Sequence, residues 1–179
     1  MRLLVSATGS TTLTAERADL LEALATHRHL LRFTVRGLTD EQARQRTTAS
    51  EPTLGGLIKH VALTEQNWAR FVVEGPAAVA PPADPSGYET WADAFRLLPD
   101  ETLDGVLARY AEVAERTDDL VRTLPDLDAS HPLPEAPWFP PGARRSARRV
   151  FLHIVAETAQ HAGHADILRE SLDGQKTMG

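Results

Sequence analysis

The sequence predicts an all-α fold, an up-down four-helix bundle with long crossover loops. Three observations predict it. Four long segments repeat apolar residues at the three- and four-residue intervals of a helix. Cap residues bound those segments: Thr53 and Ser146 before two of them, and Gly37, Gly75 and Gly174 after three of them. No strand-like alternation of any length appears, and no internal repeat. At 179 residues and 42% hydrophobic, the chain is long enough for one domain with a real core. That domain is expected over 14–174, with an N-terminal extension at 1–13 and a tail at 175–179.

The first helix is expected from about Thr14 to Arg36, with Leu20, Leu21, Leu24, Leu30 and Leu31 as its apolar stripe. A short turn of helix follows at Asp40–Arg44, where Thr39 and Gln42 form a capping-box pair. The second long helix is expected over Leu54–Val73. Its first turn holds Gly55 and Gly56, which permit close contact with a neighbour or leave amides for an anion. The third is expected over Asp100–Leu124 and the fourth over Ala147–Leu172. Two proline-rich connections separate them. The first leads into the ambiguous stretch TWADAFRLL (90–98), read as a short helix. The second, 124–145, holds six of the twelve prolines. Connections this long either cross the surface or cover a functional site.

Composition removes several classes of function. A formal net charge of −6 argues against a general nucleic-acid binder. The N-terminal segment lacks the apolar core of a signal peptide, and no run approaches a membrane span, so a cytoplasmic location is expected. There is no cysteine, which excludes disulfides, thiolate metal ligands and a catalytic cysteine. Any thiol chemistry must use a thiol that arrives on a substrate.

One stretch stands out: FLHIVAETAQHAGHADILRE (151–170) sets His153, Glu157, His161 and His164 at spacings of four, four and three. Residues four apart on a helix are separated by about 40° around the axis, one turn apart in height. Glu157 and His161 can therefore reach one point in front of the helix, as a metal with imidazole and carboxylate ligands requires. A third ligand must come from another helix, and His60 is the obvious candidate. Thr64 and Asn67 follow it on the same side of the second long helix. Read from spacing alone, the stripe is equally the wet seam of an amphipathic helix. There is no HExxH string, and no pair of Glu-x-x-His motifs such as a di-iron bundle uses.

The segments TLGGLIKHVALTEQNW (53–68) and FLHIVAETAQHAGHADILRESLDG (151–174) resemble the two signature segments of the DinB-like metalloprotein superfamily. Within it the chain is similar to the actinobacterial group related to mycothiol-dependent maleylpyruvate isomerase and thiol S-transferases. RGLTDEQAR (36–44) fits that group too, and the resemblance runs from about residue 14 to residue 174. It implies a bundle holding a divalent metal on three ligands, one on helix two and two on the last long helix. Carried over, they fall on His60, Glu157 and His161. It further implies a low-molecular-weight thiol cosubstrate resembling mycothiol, activated for attack on an electrophile by S-transfer or by isomerisation. Homodimers are common in that superfamily.

Three protein ligands leave a coordination position open, the mark of a catalytic site. Two histidines and a glutamate without sulfur suit zinc first, with nickel, iron or manganese as alternatives. His153 and His164 flank the ligands, as orienting partners or as bundle-lining histidines; His164 is also the candidate base. RRSARR (144–149) puts four arginines at the start of a helix, where the macrodipole disfavours them. Either they hold a carboxylated substrate or cosubstrate, with Arg148 and Arg149 the pair to test and Arg149 also a candidate catalytic residue, or they form a solvated face. Trp138 and Phe139 are read as a lid or as ordinary packing. Two other functions compete: a metal-dependent hydrolase needing no thiol, and a non-catalytic metal or small-ligand binding protein.

Overall fold

The computed structural model describes residues 13–82 and 93–177. The expected extension at 1–13, all but its last residue, and part of the stretch 90–98 thus lie outside the described residues. Helix α1 spans Ala15–Phe33, α2 Asp40–Arg44, α3 Leu54–Glu74, α4 Leu103–Thr123 and α5 Ala147–Asp173. Local chemistry sets these limits. Thr14, Thr53, Thr102 and Ser146 each accept a hydrogen bond from the backbone amide three residues on, satisfying a donor that the helix start leaves free. The Thr39–Gln42 capping box forms as the sequence predicts. Gly75 at φ +83° and Gly174 at φ +77° end α3 and α5 in conformations that a β-carbon would oppose. The described part of the ambiguous stretch is a turn, with the Arg96 amide donating to the Asp93 carbonyl.

The four long helices form a closed ring in which α1 touches α5 and α4, and α3 touches both as well. Leu20 and Leu24 of α1 pack in one core cluster with Trp68 and Phe71, while Leu31 packs in the other with Leu57 and Ile58. Helices α1 and α3 therefore run in opposite directions. Pairs Lys59–Glu101 and Gln66–Arg109 show that α4 runs parallel to α3. His60 against His161 and Trp68 against His153 show that α5 runs back. The order is up, down, down, up rather than the expected up-down alternation, because the chain returns to the starting end of α3 before α4 begins. Only the first proline-rich connection crosses the length of the bundle. The second stays at one end and folds into a two-strand antiparallel ladder, β1 (Ser130–Pro132) against β2 (Arg144–Ser146). Three-residue strands are too short to leave an alternation pattern, so sequence periodicity misses them.

Two buried arginines tie the helices together. Arg28 of α1 forms a bidentate pair with Glu65 of α3, at 2.6 and 3.2 Å, and reaches Asp118 of α4 at 2.8 Å. Arg169 of α5 donates to the carbonyls of Thr34 and Arg36 at 2.8 and 2.9 Å, placing positive charge where α1 ends, and also pairs with Asp173. Among the described residues, no helix is long and apolar enough to cross a membrane.

Gly56 shows why a helix start carries two glycines. A β-carbon there would lie 1.8 Å from the Phe95 carbonyl oxygen, so the returning connection passes directly over it. The Gly56 amide is already taken by Thr53 Oγ1 at 3.1 Å, and close packing is the reading that the geometry supports. Gly56→Ala is expected to lower unfolding free energy by about 1–3 kcal/mol, because backbone rather than a flexible side chain must move. Urea denaturation measures it; a loss below about 0.5 kcal/mol would show that the 93–98 turn yields freely.

Candidate metal centre

Helices α3 and α5 run antiparallel, and this sets His60 opposite the stripe on α5. His60, Glu157 and His161 each offer a ligand atom, all within 4.8 Å of one another. The three side chains are partly buried. Glu157 lies between two imidazoles: one carboxylate oxygen is 3.7 Å from His161 Nε2, the other 3.8 Å from His153 Nε2. The His60 and His161 rings meet edge to face at 4.8 Å, and His60 stacks on Phe95 at 4.0 Å. His60 Nε2 also lies 3.5 Å from Thr64 Oγ1, one turn on.

The surroundings hold these imidazoles neutral. Burial pushes His60 down to about 4, with His161 adding to the effect. Burial, then Arg145 and Arg149, push His153 down to about 4. His161 is lowered by burial and by His164. Burial raises Glu157, and Arg145 opposes that shift. At neutral pH the three histidines thus keep free lone pairs, the form in which imidazole binds a metal.

The donor set fits a divalent ion on two further grounds. His161 Nδ1 is buried and has no hydrogen-bond partner among the described residues. A buried nitrogen without a partner is costly, and an ion or water bound to it would satisfy it. Two imidazoles and a carboxylate without sulfur form the borderline set that zinc accepts. His153 lies one turn before Glu157, its Nε2 beyond hydrogen-bond distance of the carboxylate.

A cavity of about 640 Å³ opens beside the three residues, with His60, Glu157 and His153 in its wall. Helix α3 contributes Leu63, Thr64, Asn67 and Trp68. Both proline-rich connections reach it, through Val79, Pro81 and Pro82 on one side and Trp138 and Phe139 on the other. The long connections therefore wall a pocket rather than only crossing the surface. Trp138 is 56% exposed at its rim.

The remaining predicted residues fall elsewhere. His164 is half-buried one turn beyond His161 and is absent from the cavity wall. Arg148 faces away, paired with Glu16 of α1 and Asp128 of the second connection. Its charge is taken up by those acids, which offset its unfavourable position at the start of α5. Arg149 is exposed and is also absent from the wall, though close enough to lower the His153 pKa. Of the four arginines in RRSARR, the structure brings Arg145 to the cavity. The sequence placed Arg145 at the end of the second connection, outside the expected helix, where no periodicity singled it out from the other three arginines. In the ladder, Arg145 lies opposite His131 and points away from its neighbour Arg144.

A family model described as Mycothiol-S-transferase matches residues 19–174 of the chain. No curated protein matches it.

Proposed function

The chain belongs to the mycothiol S-transferase family, and on that premise we propose that it moves the sulfur of a low-molecular-weight thiol, mycothiol or a close analogue, onto an electrophilic carbon with the help of a divalent ion. His60, Glu157 and His161 would hold that ion, with zinc the first choice for this donor set. Such an ion supplies one thing here, a lower thiol pKa, so that the sulfur is nucleophilic at neutral pH.

The chain's own residues do the rest. His60 and His161, neutral by burial, present lone pairs without first losing a proton. His153 Nε2 faces the Glu157 carboxylate from the adjoining turn. The apolar wall of Leu63, Trp68, Val79 and Phe139 excludes water, which competes with a thiol for any electrophile. In the transfer, the thiol proton is released and an S–C bond forms. The displaced electron pair leaves with a leaving group or, in conjugate addition, goes to the α-carbon, which then takes up a proton.

The observation carrying this reading is the convergence of three ligand-type side chains beside a large cavity in a chain with no cysteine. The sulfur must therefore come from outside. The test measures metal by elemental analysis on untagged protein, then thioether formation from mycothiol and 1-chloro-2,4-dinitrobenzene. Stoichiometric metal, with a rate that needs both metal and thiol, is expected. A rate on ester or amide substrates that ignores added thiol would replace the transferase with a hydrolase. Metal uptake with no turnover on a panel of electrophiles would leave a binding protein.

A further inference from the structure

Among the described residues lining the cavity, Arg145 is the one permanent cation and Glu157 the one carboxylate. Glu157 supports the charge on Arg145 through space but belongs to the three-residue cluster, and no described residue of the wall forms an ion pair with Arg145. Its position is built rather than incidental. The β1–β2 ladder fixes the backbone at 144–146, with Arg145 paired across to His131. Strand alternation then sends Arg144 outward, where it bonds the Ser130 carbonyl at 2.6 Å, and turns Arg145 inward. The guanidinium lies 4.5 Å over the Trp68 ring and 5.6 Å from that of Phe139, so two aromatic faces hold its plane. One of its nitrogens, Nη1, is buried and makes no hydrogen bond among the described residues.

A held guanidinium with an unused buried N–H, at the edge of an apolar cavity, is a receptor for a planar anion. We propose that Arg145 forms a carboxylate subsite in this cavity, so that a small molecule bound beside His60 and Glu157 carries a carboxylate which Arg145 receives. The proposal rests on the transferase reading of the same cavity and narrows its substrate class to carboxylated acceptors or carboxylated thiols. Trp68 and Phe139 would hold the fork in plane, and the apolar wall would take the body of the ligand. Burial, then the nearby Arg149, weigh against the charge on Arg145 while Glu157 supports it, and a bound carboxylate would add to that support.

The experiment uses full-length protein stripped of metal by a chelator, so that a carboxylate cannot bind an ion instead. Isothermal titration compares cinnamate with cinnamamide, an acceptor-shaped pair, and N-acetylcysteine with N-acetylcysteine amide, a thiol-shaped pair. In at least one pair the acid is expected to bind at least about tenfold tighter than the amide. The pair that shows the preference identifies which reactant carries the carboxylate. Arg145→Gln is expected to abolish the preference while leaving amide binding within about twofold. Arg145→Lys, which keeps the charge but not the fork, should retain part of it and serves if the glutamine variant folds poorly. Equal binding of acid and amide in both pairs by the wild type would overturn the proposal. So would a preference that survives in Arg145→Gln. Metal analysis of the same preparations before stripping reads the three-residue cluster separately, so the two proposals fail independently.

Discussion

In the His60→Ala and Glu157→Ala variants, bound divalent metal is expected to fall below about a tenth of the wild-type content, and thiol transfer by at least about a hundredfold. The reason is the small number of ligands. Three side chains meet within 4.8 Å, and removing any one leaves two donors and a half-open pocket. His164→Ala is the contrasting variant. His164 lies outside the three-residue cluster, and the metal content of this variant should stay close to that of the wild type. Elemental analysis after gel filtration, with circular dichroism to establish folding, measures all three. Full metal retention in both His60→Ala and Glu157→Ala would reject this cluster as the site, whatever the activity did.

The second large effect concerns stability and lies on the far side of α3. Glu65→Ala is expected to destabilise the protein by about 3 kcal/mol. Arg28 and Glu65 are 4% and 1% exposed, and the truncation would leave a buried guanidinium holding only Asp118. The cost comes from stranding the charge rather than from losing a favourable bond. Replacing both partners, as in Arg28→Met with Glu65→Leu, should therefore recover most of the loss. Urea midpoints for the two single variants and the double variant test this. A double variant no more stable than Glu65→Ala would show that the pair itself supplies the stability.

Much of the helical frame is legible in the chain because its signals are local. Thr39 with Gln42, Thr53, Ser146, Gly75 and Gly174 all cap as their identities predict, since a cap needs only residues within one turn. Apolar periodicity places α3 and α5 to within a residue or two. The Arg28–Glu65 pair is not legible in this way. Arg28 sits on the apolar face of α1 beside Leu24 and Leu31, and its partner is 37 residues away. Nothing local tells a buried arginine from an exposed one.

The cluster divides along the same line. Glu157 and His161 are neighbours by helical spacing, so one helix is enough to bring them together. His60 joins them because α3 and α5 run antiparallel in register, which depends on two connections and on the cores at both ends of the bundle. The arginines of RRSARR show the converse. Their composition marks the segment as unusual, but the side chains divide by geometry: Arg148 to surface acids, Arg144 to Ser130, Arg145 to the cavity. By itself the sequence determined the helices, their caps, the absence of an internal thiol and one half of the cluster, because each depends on residues a few positions apart. The tertiary structure decided whether His60, the candidate that the sequence offered, stands against the other two, which arginine faces the cavity and which charges are buried, because each depends on the packing of distant segments.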